Sequence, residues 1–262
     1  MTRMPTVFLT HGGGPCFFMD WNPADAWDGL RAGLESIPEL LPEPARAILV
    51  VSAHWETDPV SIEVGARPDL VFDYYGFPPH TYELTYPAPG DPELAERART
   101  LLDDAGIAAR TTSRGWDHGV FVPLLVAYPE ADVPVVAMSL RADLDPGAHL
   151  DLGRALTPLR DEGVLIIGSG SSYHNLSGGG PAAKEAATGF DQWLHQVLPT
   201  PGHDRDRALR DWAGAPGGRF AHPREEHLIP LHVAAGAAEN DAGRAFFAEP
   251  VLGVEMSCWV FG

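Results

Sequence analysis

With 262 residues, the chain is long enough to bury a large apolar core without disulfides as staples, and one catalytic domain over 1–262 is the expectation. Apolar residues make up 45% of it, yet no uninterrupted run approaches the roughly 20 residues of a membrane-spanning helix, so no membrane partner is expected. A net charge of −18 disfavours nucleic acid and anionic lipid, which reward positive patches through counterion release and Coulomb attraction.

The start, Met1-Thr2-Arg3-Met4-Pro5, lacks the charged and then apolar pattern of a secretory signal, which makes the cytoplasm the expected location. Residues 6–10 then form a short apolar, β-branched run that reads as a buried strand, and it opens into His11-Gly12-Gly13-Gly14-Pro15. A second such run, 47–52, leads into Ala53-His54-Trp55-Glu56-Thr57. Residues 73–90 hold too many tyrosines and prolines for a long regular element and read as a substrate loop. In that loop Tyr74, Tyr75, Phe77 and Tyr82 either line an aromatic pocket or pack the loop down, and His80 receives no role. Residues 92–105 predict a helix, with Pro92 in its first turn, Glu93 and Glu96 early, and Gly106 as its stop.

Further along, helices are predicted over 121–127, 146–160, 181–198, 205–213 and 230–238, with loops at 199–204 and 214–219. Strands are predicted over 133–139 and 164–167, the latter running into Gly168-Ser169-Gly170-Ser171-Ser172-Tyr173-His174-Asn175-Leu176. Residues 251–260 add a strand of undetermined place. The four inner strands lack polar alternation, which suits strands covered on both faces. The expectation is a single-domain α/β fold whose mostly parallel or mixed central sheet is flanked by helices on both faces. Cys16 and Cys258, far apart and unaccompanied by other cysteines, read as reduced thiols.

Open α/β sheets place ligands beyond the carboxyl ends of their strands, and three of these strands run into polar or glycine-rich segments that each carry a histidine. A fourth segment, His222-Pro223-Arg224-Glu225-Glu226-His227, precedes a helix that Pro230 can initiate. One isolated histidine most often serves structure; histidines after two separate buried strands, joined by a third histidine loop, point to one divalent metal. Imidazole suits zinc, copper and iron, so Fe(II) or Zn(II) fits. His149, His195, His203 and His232 fall in helical or exposed segments, where structural roles are expected.

The His-Gly-Gly-Gly string can also supply an oxyanion hole in lipases, but the G-x-S-x-G elbow is missing, because Gly168 to Ser172 alternates in the wrong phase. Neither a Lys-Ser/Thr pair after a glycine loop nor an H-E-x-x-H string occurs.

His11-Gly12-Gly13-Gly14-Pro15, Ser52-Ala53-His54-Trp55, Tyr86-Pro87-Ala88-Pro89-Gly90, Gly115-Trp116-Asp117-His118-Gly119, His174-Asn175-Leu176 and the 222–227 segment occur in that order over nearly the whole chain. In this the chain resembles the class III extradiol ring-cleavage dioxygenases of the DOPA 4,5-dioxygenase type. The resemblance implies cleavage of a DOPA-like catechol by dioxygen at non-haem iron, with a small aromatic diol and O2 as the partners. It carries metal ligation onto His11, His54 and His227. It also places His174 and His118 in the pocket as acid-base or substrate-contacting residues, with His174 as an alternative fourth ligand. Extradiol enzymes commonly use two histidines and one carboxylate, whereas the carried-over position here is His227, with Glu225 and Glu226 as adjacent alternatives. Two rivals remain at this stage: a zinc hydrolase using metal-bound water, and a non-catalytic metal-binding protein.

Overall fold

The computed structural model describes residues 2–262. Its first half runs β1 (Thr6–Thr10), α1 (Asp28–Glu35), β2 (Ala47–Thr57), β3 (Val60–Glu63), α2 (Pro92–Asp104), β4 (Ala109–Thr112), α3 (His118–Ala127) and β5 (Val135–Arg141). There follow α4 (Pro146–Leu156), α5 (Pro158–Asp161), β6 (Val164–Gly170), α6 (Gly180–Val197), α7 (His203–Arg210), α8 (Gly218–Ala221), α9 (Ile229–Ala238), β7 (Gly243–Val251) and β8 (Val254–Phe261).

All eight strands join one sheet in the order β4-β3-β5-β2-β6-β1-β8-β7. Its centre, β5-β2-β6-β1, is parallel, while β8 runs antiparallel to β1, and β3 antiparallel to β5. The sheet is therefore mixed, with helices on both faces. Successive residues of a strand point to opposite faces. On β2, Ile48 and Val50 enter one core beside Val120 and Phe121 of α3, and Leu49 and Val51 enter another beside Leu152 of α4 and Val233 of α9. Both faces being apolar explains why the inner strands show no polar alternation.

The edges escaped the sequence reading because they carry no such run. Strand β4, Ala-Arg-Thr-Thr, is only half-buried, and β7 is buried only at Gly243, Phe247 and Val251. The predicted strand over 251–260 is observed as β8, the second arm of a β7–β8 hairpin whose turn places Leu252 and Gly253 at positive φ. The predicted helix over 146–160 is interrupted after Leu156, where Pro158 offers no N–H and clashes with the preceding turn. The short helix α1, with two glycines in eight residues, was also not foreseen, and α8 occupies part of the predicted 214–219 loop.

Two local features aim the carboxyl edge of the sheet. In β2, Ser52 pairs with Ser139 but Glu56 pairs with the next residue, Leu140, so Ala53, His54 and Trp55 bulge out of the ladder. Bulges of this kind re-aim side chains. On β6, Gly168 and Gly170 let the segment entering α9 lie directly on the sheet, because a Cβ at either would overlap the backbone carbonyl of Pro230 or of His227. The Ser171 N–H donates to the His227 carbonyl at 2.9 Å and fixes that approach.

A methyl group at Gly170 meets backbone and not a yielding side-chain tip. Gly170→Ala is therefore expected to cost about 1–3 kcal/mol of stability, the range for overpacking. Gly179→Ala, where an added Cβ meets nothing within 4 Å, should stay within about 0.5 kcal/mol. Urea unfolding of both variants measures the contrast, and equal stability would contradict the close-approach account.

Candidate metal centre

Five imidazoles gather at the carboxyl edge of the sheet, on the floor of a cavity of about 410 Å³. His11 follows β1, and its backbone N–H donates to the Gly170 carbonyl at 3.0 Å. Gly12, at φ +85°, turns the chain there in a conformation few side chains tolerate. His54 projects from the β2 bulge, and His227 comes from the segment held against β6. His118 opens α3, and His174 lies beyond β6 with its N–H on the Ala221 carbonyl at 2.9 Å.

The ring nitrogens of His11, His54 and His227 converge, one from each lying within 4.8 Å of the others. The two Nε2 atoms of His11 and His54 are 3.2 Å apart. Their tautomers follow from their other nitrogens. His11 Nδ1 donates to the Gly12 carbonyl at 2.8 Å, His227 Nδ1 to Glu226 Oε1 at 3.1 Å, and His54 Nδ1 faces Asp73 Oδ2 at 3.5 Å. Each ring thus turns its Nε2 lone pair inward. His227 Nε2 is buried with no hydrogen-bond partner. Facing lone pairs at such a distance repel unless a cation lies among them, and two imidazoles on one ion at about 2.0–2.1 Å stand a little over 3 Å apart. The donor set fits a divalent metal.

Protonation is suppressed here, mainly by burial and then by the neighbouring imidazoles. His11 is held well below its ordinary value, by burial and then by His54 and His227. His54 falls to about 2 through burial, His118 and His227. His227 falls to about 4, with burial overriding the upward pull of Glu226. Neutral imidazole is the ligating form.

Two carboxylates support the rings from behind. Burial pushes Asp73 upward, but the hydrogen bond and charge of His118 outweigh it and hold the acid at about 2. Asp73 Oδ1 accepts from His118 Nδ1 at 2.8 Å and from the His118 backbone at 3.0 Å. Glu226 lies within 3.4 Å of His174 Nδ1 and 3.1 Å of His227 Nδ1, and those contacts keep it below the carboxylate range despite burial. Arg224, paired with both oxygens of Glu56 at 2.6 and 2.5 Å, reaches Glu226 at 3.3 Å.

The structure thus brings together His11, His54, His227, His118 and His174. His174 stacks on His227 with centroids 3.3 Å apart and 13° between planes. Of the adjacent carboxylate alternatives, Glu225 pairs with Arg219 away from the rings, and Glu226 stands behind them. Tyr74 and Phe77 line the cavity, Tyr82 packs behind Tyr74, and Tyr75 is 90% exposed. His80 bonds the Phe18 carbonyl. Sequence reading missed Asp73, whose role has no spacing signal, and the wall formed by Trp21, Trp27, Leu252 and Met256, which comes from two segments at opposite ends of the chain.

Residues 5–255 match the family of the catalytic LigB subunit of aromatic ring-opening dioxygenase. The chain belongs to this family. It is 43% identical over 243 residues to the 4,5-DOPA dioxygenase extradiol of Beta vulgaris, covering 90% of this chain and 88% of that one. It is 34% identical over 259 residues to the protein of the same name from Escherichia coli (strain K12), covering 97% and 92%. The crystal structure of an uncharacterized protein from Escherichia coli K12 matches with a TM-score of 0.79 at 28% identity, over 99% of this chain and all of that one. The chain is an extradiol aromatic ring-opening dioxygenase and metal-dependent as its family is; neither the zinc hydrolase nor the idle metal-binding protein is favoured. Among the described residues no helix is long and apolar enough to cross a membrane.

Outside the cluster, His149 and His232 are buried and bonded to backbone groups, and they make stability depend on pH. His149 accepts from the Arg141 N–H at 3.0 Å and donates to the Asp145 carbonyl, while His232 bonds the Leu209 carbonyl at 2.9 Å. Burial lowers each to about 4. The unfolded chain takes up their protons near pH 6.5, so their contribution is complete above that pH and is lost as pH falls toward 4. Each should add a slope of up to about 1.4 kcal/mol per pH unit in that window. Urea unfolding between pH 7.5 and 5 measures it, and His149→Gln should flatten the dependence; an unchanged slope would count against burial as the cause.

Proposed function

We propose that His11, His54 and His227 hold one divalent metal, that Fe(II) is the ion active in ring cleavage, and that the cavity takes a DOPA-like catechol with its diol toward the histidines and O2 as co-substrate. The observation that carries this reading is the set of inward Nε2 lone pairs, two of them 3.2 Å apart and the third without a partner. Ferrous iron there would supply a Lewis acid that favours the catechol anion and an electron path to dioxygen. Zinc would bind the same nitrogens and has no accessible redox change, so a zinc content would not identify the reaction. The buried free thiols Cys16 and Cys258 suit a reducing compartment, with the cytoplasm the natural choice.

The chain's own part is positioning and proton transfer. The cavity walls exclude water from one face of the ring. His174, with Nδ1 turned to Glu226, is placed to accept a proton from a diol hydroxyl and return it later. Proton transfer of this kind is typically worth about 10²–10⁴-fold in rate. His118, whose Nδ1–H is fixed on Asp73, presents its other nitrogen to the same cavity and contacts the substrate oxygens. The ring bond beside the diol breaks and both oxygen atoms enter the product, a semialdehyde acid, so no external reductant is needed.

Removing one inward nitrogen should empty the centre. His227→Ala is expected to reduce bound metal to a small fraction of one per chain, with His11→Ala and His54→Ala behaving alike. Full stoichiometry by elemental analysis in all three variants would sink the assignment.

His174→Phe keeps the stacking surface but can neither accept nor return a proton. It should retain most of the iron while turnover falls by at least about 10²-fold. Parallel loss of metal and activity would make His174 a fourth ligand, and near-normal turnover of the iron-loaded variant would leave it a structural role.

A further inference from the structure

The bulge that carries His54 leaves Ala53, His54 and Trp55 without partners in the ladders to β5 and β6. Backbone groups withdrawn from water need other partners, and both those of His54 are taken up by side chains. Its N–H donates to Ser52 Oγ at 3.2 Å, and its carbonyl accepts from Arg114 Nη2 at 3.3 Å. Ser52 and Arg114 in turn converge on one carboxylate. Ser52 Oγ donates to Asp117 Oδ1 at 2.6 Å, and Arg114 Nη1 donates to Asp117 Oδ2 at 2.7 Å. Asp117 thereby holds the His54 peptide from both sides, one carboxylate oxygen for each arm. Ser52 and Asp117 are fully buried, and the Arg114 guanidinium lies over the Trp55 ring at 5.0 Å. Burial pushes the Asp117 carboxyl up, and Ser52 and Arg114 pull against it.

The short segment around Asp117 also fixes the other groups that surround His54. Glu63, buried at the end of β3, accepts from the Arg114 N–H and from the Gly115 N–H, the latter at 2.7 Å, and ties the segment to the sheet. The Trp116 N–H donates to the Asp69 carbonyl at 2.9 Å, and the Trp116 carbonyl accepts from the Val71 N–H at 2.7 Å. Those two bonds hold the chain that delivers Asp73 to His54 and His118. His118 follows Asp117 directly, and its ring centroid lies 3.9 Å from that of His54. Gly119 permits the close fit, because a Cβ there would stand 2.7 Å from Ser52 Oγ and 3.1 Å from His54 Cδ2.

We propose that Asp117 is a positioning residue of the metal centre, which through Ser52 and Arg114 sets the place from which His54 enters it and keeps that ring in register with His118. This rests on the reading of His54 as a metal ligand given above. Asp73 faces the His54 ring and can fix its rotation, but it does not fix the backbone from which the ring projects. The two arms from Asp117 do, because they hold the N–H and the carbonyl of the residue itself. A ligand whose lone pair is displaced from the ion binds it less well, and groups that orient ligands at one remove are typically worth about 10–100-fold in metal affinity.

The test uses Co(II) as the probe, since it suits imidazole sites and its visible absorption reports ligand geometry. Affinity is read by competition with a chelator, and urea unfolding of the metal-free protein reads stability in parallel. Ser52→Ala removes the hydroxyl between His54 and Asp117. Asp117→Asn keeps an acceptor for Ser52 and turns an amide nitrogen to Arg114. Thr6→Val is the control, removing a buried hydroxyl that donates to the Ala234 carbonyl at 2.8 Å, with no link to His54. Ser52→Ala and Asp117→Asn are expected to hold Co(II) at least about tenfold more weakly than the unaltered protein, with a changed visible spectrum at saturation. Thr6→Val should lose stability and keep both affinity and spectrum. Unaltered affinity and spectrum in Ser52→Ala overturn the proposal and leave the network a role in folding alone, and so does an equal loss of affinity in Thr6→Val. Ser52→Ala decides the case even where Asp117→Asn does not fold. Co(II) held by His54→Ala as tightly as by the unaltered protein overturns instead the ligand assignment on which the proposal rests.

Discussion

Burial and mutual proximity keep His11, His54 and His227 neutral on one cavity floor, and that neutrality sets where each of their protons must sit. Every protonated ring nitrogen needs an acceptor, and the other nitrogen then carries a lone pair. In His11 the acceptor is a backbone carbonyl; for His54 and His118 it is Asp73; for His174 and His227 it is Glu226. These acceptors lie outside the ring cluster, so the lone pairs of His11, His54 and His227 face inward. Carboxylates orienting imidazoles at one remove from a metal raise ligand basicity and fix ring direction. Glu226 is in turn held by Arg224, which Glu56 clamps. Pulling out one of these carboxylates would free a ring to rotate or to change tautomer.

The sheet supplies the rigidity that such an arrangement demands. His11 sits one residue beyond β1, which pairs with β6 through its length, and β6 pairs in turn with Ala47–Ser52 of β2. The β2 bulge converts a strand position into a side chain aimed over the sheet edge, which an uninterrupted ladder would not allow. His227 reaches the same point from the other side because Gly168 and Gly170 leave room for the chain entering α9. Three segments more than 40 residues apart in sequence thereby meet on backbone hydrogen bonds instead of on loop conformation alone, and such support keeps a site pre-organised.

Much of this was legible in the sequence, for specific reasons. The inner strands announce themselves because both of their faces are apolar, and the histidines that matter follow them or occupy a loop leading into a proline-initiated helix. The substrate wall was only half legible. Tyr74 and Phe77 signalled a pocket, but Tyr75, from the same tyrosine-rich string, points to solvent, and nothing in a one-dimensional pattern distinguishes it from its neighbour. Trp21 and Trp27 belong to irregular chain before α1, and Leu252 and Met256 to a hairpin whose outer strand is too exposed to show a strand pattern. Asp73 is a single acid in a loop. Its importance arises from contact with rings 19 residues before it and 45 residues after it in sequence, which only the fold brings near.

The placement of the carboxylates has an electrostatic consequence for the chemistry. In the commoner extradiol arrangement one carboxylate sits directly on the ion and reduces its formal charge. On the assignment proposed here three neutral imidazoles occupy those positions, so the full double charge of a bound ion remains to attract a diol anion. Glu226 and Asp73 offset that charge from behind the rings, at a distance where the field is weaker but still favours cation binding in a buried setting. Selectivity is then divided along the cavity. On that assignment the metal end would take the diol common to every catechol, and the remaining walls, which carry no charged side chain, would read what the ring carries. A relative with the same histidines can therefore change substrate by placing or removing one charged residue on those walls, without altering the metal end.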